Sequence, residues 1–464
     1  MDTDDKIAVI DDKNNIITYN QLQENSKEFA KHLFHRSIIA IMATNTLGSL
    51  LGYIASLQNK IVPLMLRNDL DLEQLQDYIK NYQVNFLWIP KYIEVVPEWK
   101  KNIIYEAHGY LLYQMSMQKV LLHQELALLL TTSGSTGGKK LVRISYKNLS
   151  SNTSVIAKYL NITSQERAIT SLPMNYTYGL SVIHTHLYQK ATLLLTEKSP
   201  YTKGFWEFFM ENSGTSFAGV PYIYEMLKKM NFQKMNLPTL KTMTVAGGKI
   251  GAEEEQYFME YASREHKQFI VMYGQTEATA RISYRAAEIM DKPQSIGKVI
   301  PEGRMWIEDK DGKQIENTSS RDEISEGKIL EGEIVYQGEN VAMGYAFTRE
   351  DLSKGYEWGN ILHTGDVGYQ DEDGYFYIKG RKDRTIKLNG LRIDLKDLEE
   401  ILSQKYIGCR IQCEVEKCMD KQAFKRIVIY LKTDFRERGE AEDMIGFVAK
   451  KLGLNQRYFR IERV

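Results

Sequence analysis

At 464 residues the chain exceeds one ordinary domain and is expected to hold two or more. Lysine plus arginine equals aspartate plus glutamate at 60 each, which excludes a global attraction to nucleic acid or to an anionic membrane. An apolar share of 43% excludes a disordered chain, three cysteines exclude a disulfide scaffold, and no apolar run approaches the ~20 residues of a spanning helix. Cys409, Cys413 and Cys418 cluster without a fourth ligand or zinc-type spacing, so they read as structural thiols. The opening MDTDDK lacks the basic-then-apolar layout of a signal peptide, and a cytoplasmic protein without a membrane span is expected.

In chain order, Ile7–Ile10 is strand-like, and Thr18 caps a helix-like run through Leu22, Phe29, Ala30 and Leu33. Ile38–Met42 returns to strand, Leu47–Leu57 is a helix of small residues, and Ile61–Leu64 is the next strand. Leu126–Leu130 is short enough for a buried strand, Leu141–Ser145 is a second β-like run, and a helix follows from Asn148. The alternation continues to about residue 294, with Ala191–Leu195 clearly strand-like, so a sheet covered by helices is predicted. Between 296 and 345, glycines at 297, 303, 312, 327, 332, 338 and 344 separate short apolar runs, and 360–380 continues in that style. This reads as a small β subdomain over about 296–381. From Asp394 the pattern turns helical (Leu395, Leu398, Ile401, Leu402). Then come β-like runs Arg410–Val415 and Arg426–Leu431, a helix Glu440–Leu452 and a last strand-like Phe459–Ile461. That is a compact α+β domain over 382–464.

The chemistry concentrates between Thr131 and Lys140, TTSGSTGGKK, where glycines let backbone N–H groups converge on an anion and hydroxyls and lysines complete a polyphosphate cage. The P-loop grammar fails, because only three residues separate Gly134 from the Gly138-Lys139 pair and Lys140 follows instead of Ser or Thr. The stretch instead resembles the T-S-G-[ST]-T-G-x-P-K loop of the adenylate-forming (AMP-binding) superfamily of acyl-CoA synthetases, peptide-synthetase adenylation domains and luciferases. Thr132, Ser133, Gly134, Ser135, Thr136, Gly137 and Lys140 fall on that motif, and Lys139 replaces its proline. Tyr273-Gly274-Gln275-Thr276-Glu277 matches the family's Y-G-x-T-E in full; alone it also reads as a helix N-cap with an acidic first turn. Ala246-Gly247-Gly248, Thr364-Gly365-Asp366 and Gly380-Arg381-Lys382-Asp383 follow the family's order.

The resemblance implies an α/β large N-terminal domain, 1–381, made of two α/β subdomains plus the β subdomain. A small mobile α+β C-terminal domain, 382–464, hinges near Asp383. It implies ATP-dependent activation of a carboxylic acid to an acyl-adenylate with pyrophosphate release, then transfer to coenzyme A or to carrier-protein phosphopantetheine. In the implied roles, Thr276 contacts the α-phosphate, Glu277 holds Mg²⁺, Tyr273 lies against the adenine, and Gly247 and Gly248 form the facing wall. Asp366 accepts the ribose hydroxyls, Arg381 assists at ribose or phosphate, and Lys387 meets the adenylate in the second half-reaction.

Leu172–Leu180 resembles the substrate-gating segment and makes Tyr176, Thr177 and Gly179 the candidate acid pocket. Amino-acid-activating members carry an aspartate near the place of Thr177. Without that counter-charge a buried ammonium is unfavourable, so a simple or hydroxylated acid is expected. His184 and His186 read as structural. Arg392, Lys396, Lys405 and Arg410 are candidates for meeting the thiol acceptor, an acyl-carrier protein among them. The family's small-domain lysine in a G-K motif has no counterpart before Val464. The expectations are a chain lacking its last segment, adenylation slowed on the order of 10²–10³-fold, and, as the alternative, a nucleotide- or adenylate-binding protein without efficient turnover.

Overall fold

The computed structural model describes residues 5–119, 121–131, 140–315, 330–381, 385–388, 391–406, 410–418, 424–432 and 439–463. The chain divides into two compact units, one of residues 1–131 with 141–380 and the other containing 381–464. No described helix is long and apolar enough to cross a membrane.

The larger unit is built on two α/β sheets. The first has eight strands in the order 344–346, 141–145, 126–131, 62–67, 38–43, 86–90, 110–114 and 103–107. Its central strands pair in parallel, Ile38–Ala43 against Val62–Arg67, and every residue of Ile38–Ala43 is buried. That is why these strands read as continuous apolar runs rather than alternating ones. The second sheet has nine strands, 298–299, 283–285, 268–273, 242–245, 216–219, 167–169, 192–195, 7–11 and 16–18. Strands 216–219, 242–245 and 268–273 are parallel and in step, so their C-terminal ends open on one edge.

Local signals set the helix starts. Thr18 and Gln21 close a reciprocal capping box ahead of Tyr19–Ala30. Ser145 and Asn148 do the same for Tyr146–Tyr159, so Asn148 is the third residue of that helix rather than its first. His108 and Gly109, both with positive φ, make the two-residue turn of the hairpin 103–107/110–114.

A four-stranded sheet of Arg304–Glu308, Gly332–Gln337, Ile361–Gln370 and Phe376–Arg381 supplies the predicted β layer. Its flanks differ from the expectation. Lys298–Val299 pairs with Ser283–Arg285 in the second α/β sheet, and Gly344–Ala346 pairs with Leu141–Arg143 in the first. Runs of two or three residues carry no periodicity that could choose a partner.

In the smaller unit, Thr385–Leu388 and Leu391–Asp394 form a hairpin. Arg410–Cys418 runs antiparallel to Phe424–Lys432, and Phe459–Arg463 joins the latter in parallel. Helices Leu395–Lys405 and Gly439–Leu452 cover them around Ile393, Leu398, Leu402, Ile427, Ile429 and Val448, with the Cys413 thiol buried in that core.

His184 and His186 are held inside the helix Thr177–Tyr188. His184 Nε2 bonds the Tyr53 hydroxyl at 2.6 Å, and His186 Nδ1 donates to the Val182 carbonyl at 2.8 Å. Burial pushes the His186 pKa from 6.5 down to about 4, against the hydrogen bond to the Val182 carbonyl and the Glu166 charge, which both act to raise it. Between those values the unfolded chain binds a proton that the native chain refuses. Stability is therefore intact above pH 6.5 and is lost as the pH falls toward 4, by roughly 3 kcal/mol from this residue. Urea midpoints at pH 7 and pH 5 are expected to differ more in the native sequence than in His186→Gln; equal differences contradict the assignment.

Candidate active site at the carboxyl edge of the second sheet

Strand Gln268–Tyr273 ends on the open edge, and the chain then doubles back at once. Gln275 is extended, Thr276–Ala278 makes one 3₁₀ turn, and Thr279 (φ 59°) and Ala280 (φ 151°) take backbone conformations that side chains disfavour. The Ile282 N–H then donates to the Tyr273 carbonyl at 2.8 Å, and the segment returns as strand Ser283–Arg285. Gly274 makes this reversal possible: a Cβ there would lie 1.9 Å from the Ala280 carbonyl oxygen.

Asn340, fully inside, bolts the reversal in place. Its amide donates to the carbonyls of Ala278 (2.7 Å) and Arg281 (2.9 Å), and its own carbonyl accepts from the Thr279 hydroxyl at 2.7 Å. The Tyr336 hydroxyl donates to Asn340 Oδ1 at 2.6 Å, and the Ala342 N–H donates to the Glu277 carbonyl at 2.9 Å. Thr276 is thereby left half-buried and Glu277 buried, its Oε1 accepting from the Tyr345 hydroxyl at 2.8 Å.

Asp366 reaches the same place from the four-stranded sheet. Gly365 has φ 70° within strand Ile361–Gln370, where the register against Gly332–Gln337 shifts. A bulge of this kind re-aims the next side chain. The Tyr273 hydroxyl donates to Asp366 Oδ2 at 2.5 Å, and Gln275 Nε2 donates to the Thr364 carbonyl at 3.4 Å. The structure thus joins the two motifs predicted to hold one nucleotide.

On the neighbouring strand end, Gly247 has φ 84°, and a Cβ there would meet the Tyr176 hydroxyl at 2.4 Å; Gly248 packs on Pro221. Thr177 opens the helix Thr177–Tyr188 and is buried, and Gly179 sits against the Pro173 carbonyl, 2.3 Å from where a Cβ would stand. Within this segment it is Tyr178 that lines a cavity of about 390 Å³. The cavity lies between helices 146–159 and 177–188 and strands 216–219, 242–245 and 268–273, and Arg281 also forms part of its wall. Lys140 is half-buried immediately before Leu141. Arg381 ends strand Phe376–Arg381, and Lys387 stands opposite Arg392 in the hairpin of the smaller unit. Thr132, Ser133, Gly134, Ser135, Thr136, Gly137 and Asp383 lie outside the described residues.

Asn340, Tyr345 and Arg281 escaped the sequence reading. Asn340 and Tyr345 act across 59 to 68 residues of chain, and no local pattern marks either. Arg281 follows Y-G-Q-T-E-A-T-A directly and was open to notice as a charge beside a motif.

A family model described as AMP-binding enzyme matches residues 1–346. A 2-succinylbenzoate–CoA ligase of Bacillus cereus (strain ZK / E33L) is 25% identical over 401 residues, covering 83% of this chain and 77% of that protein. The putative acyl-CoA synthetase YngI of Bacillus subtilis is 28% identical over 279 residues, covering 59% and 48%. Among solved structures, the o-succinylbenzoate CoA synthetase of Bacillus subtilis in complex with ATP and a magnesium ion aligns with a TM-score of 0.65 at 22% identity, over 99% of this chain and 93% of that one. An artificially fused adenylation–carrier di-domain from Klebsiella oxytoca aligns at 0.72 and 16%, over 99% and 91%. At such identities the structural likeness establishes the fold. The family match covers three quarters of the chain, which therefore belongs to the AMP-binding enzymes, the adenylate-forming ligases that activate a carboxylic acid with ATP and pass the acyl group to a thiol.

Proposed function

We propose that the doubled-back segment and the Asp366 strand hold a single ATP, and that the acid is activated at Thr276 and Glu277. The observation that carries this reading is the pair of bonds joining motifs 89 to 93 residues apart, Tyr273 to Asp366 and Gln275 to Thr364. Asp366 accepts the ribose hydroxyls; Tyr273, by donating to that carboxylate, fixes it and lays its ring toward the base, with Gly247 and Gly248 as the opposite wall. Thr276 contacts the α-phosphate. Residues Thr132–Gly137 and Lys140 cradle the outer phosphates.

Glu277 fits a magnesium ion, because a single hard carboxylate beside substrate phosphates is what Mg²⁺ uses. Bound there, the ion screens the negative charge that attacker and phosphate share. Arg381 assists at the ribose or phosphate, Asp383 marks the hinge, and Lys387 serves the thiol step. The cavity lined by Tyr178 and Arg281 receives the acyl group, and coenzyme A is the acceptor, as the names of the relatives at 25% identity and above support.

ATP–pyrophosphate exchange over a panel of carboxylic acids tests this, followed by thioester assay with coenzyme A and with a phosphopantetheine-loaded carrier protein. Exchange that needs both acid and Mg²⁺, with a coenzyme A thioester as product, is expected. A carrier thioester alone corrects the acceptor. ATP binding without exchange for any acid turns the reading toward a binding protein.

A further inference from the structure

The strand that carries Asp366 is irregular at that residue, and side chains hold the irregularity open. Val335 pairs with His363 and Glu333 with Val367, so the single residue Ile334 faces Thr364, Gly365 and Asp366 on strand Ile361–Gln370. One residue cannot answer three in a ladder, and surplus N–H groups need acceptors from elsewhere, because an unpaired buried N–H is costly. Two of them find side chains. The Gly365 N–H donates to Glu333 Oε1 at 3.0 Å, and the Asp366 N–H donates to Thr364 Oγ1 at 3.1 Å. The Thr364 hydroxyl in turn donates to the Ile334 carbonyl at 2.6 Å.

The peptide unit between Thr364 and Gly365 is therefore gripped at both ends. Gln275 Nε2, from the doubled-back segment, donates to its carbonyl at 3.4 Å, and Glu333 accepts from its N–H. The orientation of this peptide, together with φ 70° at Gly365, sets where the next side chain points, and Asp366 points at the Tyr273 hydroxyl. The Glu333 side chain is itself only 10% exposed, and its Oε2 lies 3.7 Å from His363 Nδ1. Glu308 Oε2 stands 3.7 Å from the same nitrogen. Glu333 thus comes from the neighbouring strand Gly332–Gln337 and reaches the bulge without being one of the groups proposed to touch ATP.

We propose that Glu333 is a positioning residue for the nucleotide: by holding the Thr364–Gly365 peptide it presents the Asp366 carboxylate to the ribose hydroxyls. The property it supplies is an acceptor oxygen at the right reach. A further negative charge near Asp366 and the phosphates offers ATP no attraction, and an amide carbonyl at the same reach accepts the same N–H. This rests on the reading of Asp366 as the ribose acceptor.

The test is titration calorimetry on the full chain, without any acid, using ATP, 2′-deoxyATP and 3′-deoxyATP, each with Mg²⁺. The native chain is expected to bind ATP tighter than either deoxy form, on the order of 10- to 10²-fold, as for hydroxyls bonded to a charged acceptor. Asp366→Ala and Glu333→Leu are both expected to erase that preference, and Glu333→Gln to restore most of it. A purely structural role would lower the fraction of binding-competent protein and leave the preference as it is. Where Glu333→Leu fails to fold, Glu333→Asp, one methylene short of Gly365, carries the same expectation. A preference lost in Asp366→Ala but kept in Glu333→Leu or Glu333→Asp overturns this inference alone. Loss in Glu333→Gln equal to that in Glu333→Leu assigns the effect to charge and also overturns it. A native chain that binds no ATP, or binds all three nucleotides equally, removes the ribose reading and this inference together.

Discussion

Glu277→Gln is expected to lower ATP–pyrophosphate exchange on the order of 10²–10³-fold, the usual cost of removing one preorganised charge from a phosphoryl-transfer site. The substitution keeps shape and acceptor capacity. The side-chain carbonyl still accepts from the Tyr345 hydroxyl, and the Ala342 N–H bonds the Glu277 backbone, which does not change. Folding should therefore survive, with a thermal midpoint near that of the native chain. The Mg²⁺ concentration for half-maximal exchange should rise together with the fall in kcat. Exchange within about threefold of the native value, at unchanged Mg²⁺ dependence, removes Glu277 from the metal site.

Gly274→Ala is expected to be as damaging by another route. The added Cβ would meet three backbone atoms, the Ala280 oxygen at 1.9 Å, its carbon at 2.7 Å and the Arg281 Cα at 2.8 Å. No rotamer change relieves a backbone clash, so the segment 276–281 has to move as a whole. Asn340 resists that movement, because its amide holds Ala278 and Arg281 together. A loss of stability of about 2–4 kcal/mol is expected from the strain. In the protein that stays folded, a displacement near 1 Å costs on the order of 10²-fold in rate. Urea unfolding and exchange measured on the same preparation separate the two effects. Native stability together with native exchange would show that the turn at Gly274 does not place the reacting groups.

Most of the scaffold was readable because its determinants are local. The apolar runs at 38–42 and 126–130 announced buried strands, and Thr18 announced a helix start. Y-G-Q-T-E was readable as chemistry at a strand end, and strand Gln268–Tyr273 does stop there. What escaped was non-local. The bolt Asn340 and the Glu277 partner Tyr345 reach their targets only after the chain has crossed between sheets, and an asparagine among loop residues looks like any other. The strand Gly344–Ala346 is a single β-like turn of sequence that takes its identity from Leu141–Arg143. Arg281 was legible as a charge, but its lack of a described carboxylate partner becomes visible only in three dimensions.

The most direct measurement is a crystal structure of the chain with Mg²⁺ and a non-hydrolysable acyl-adenylate analogue. The account predicts one ligand whose ribose hydroxyls bond Asp366, whose phosphate mimic meets Thr276 and whose acyl end enters the cavity beside Arg281. An analogue bound elsewhere, with Tyr273 and Asp366 still bonded to each other and touching no part of it, would contradict the account.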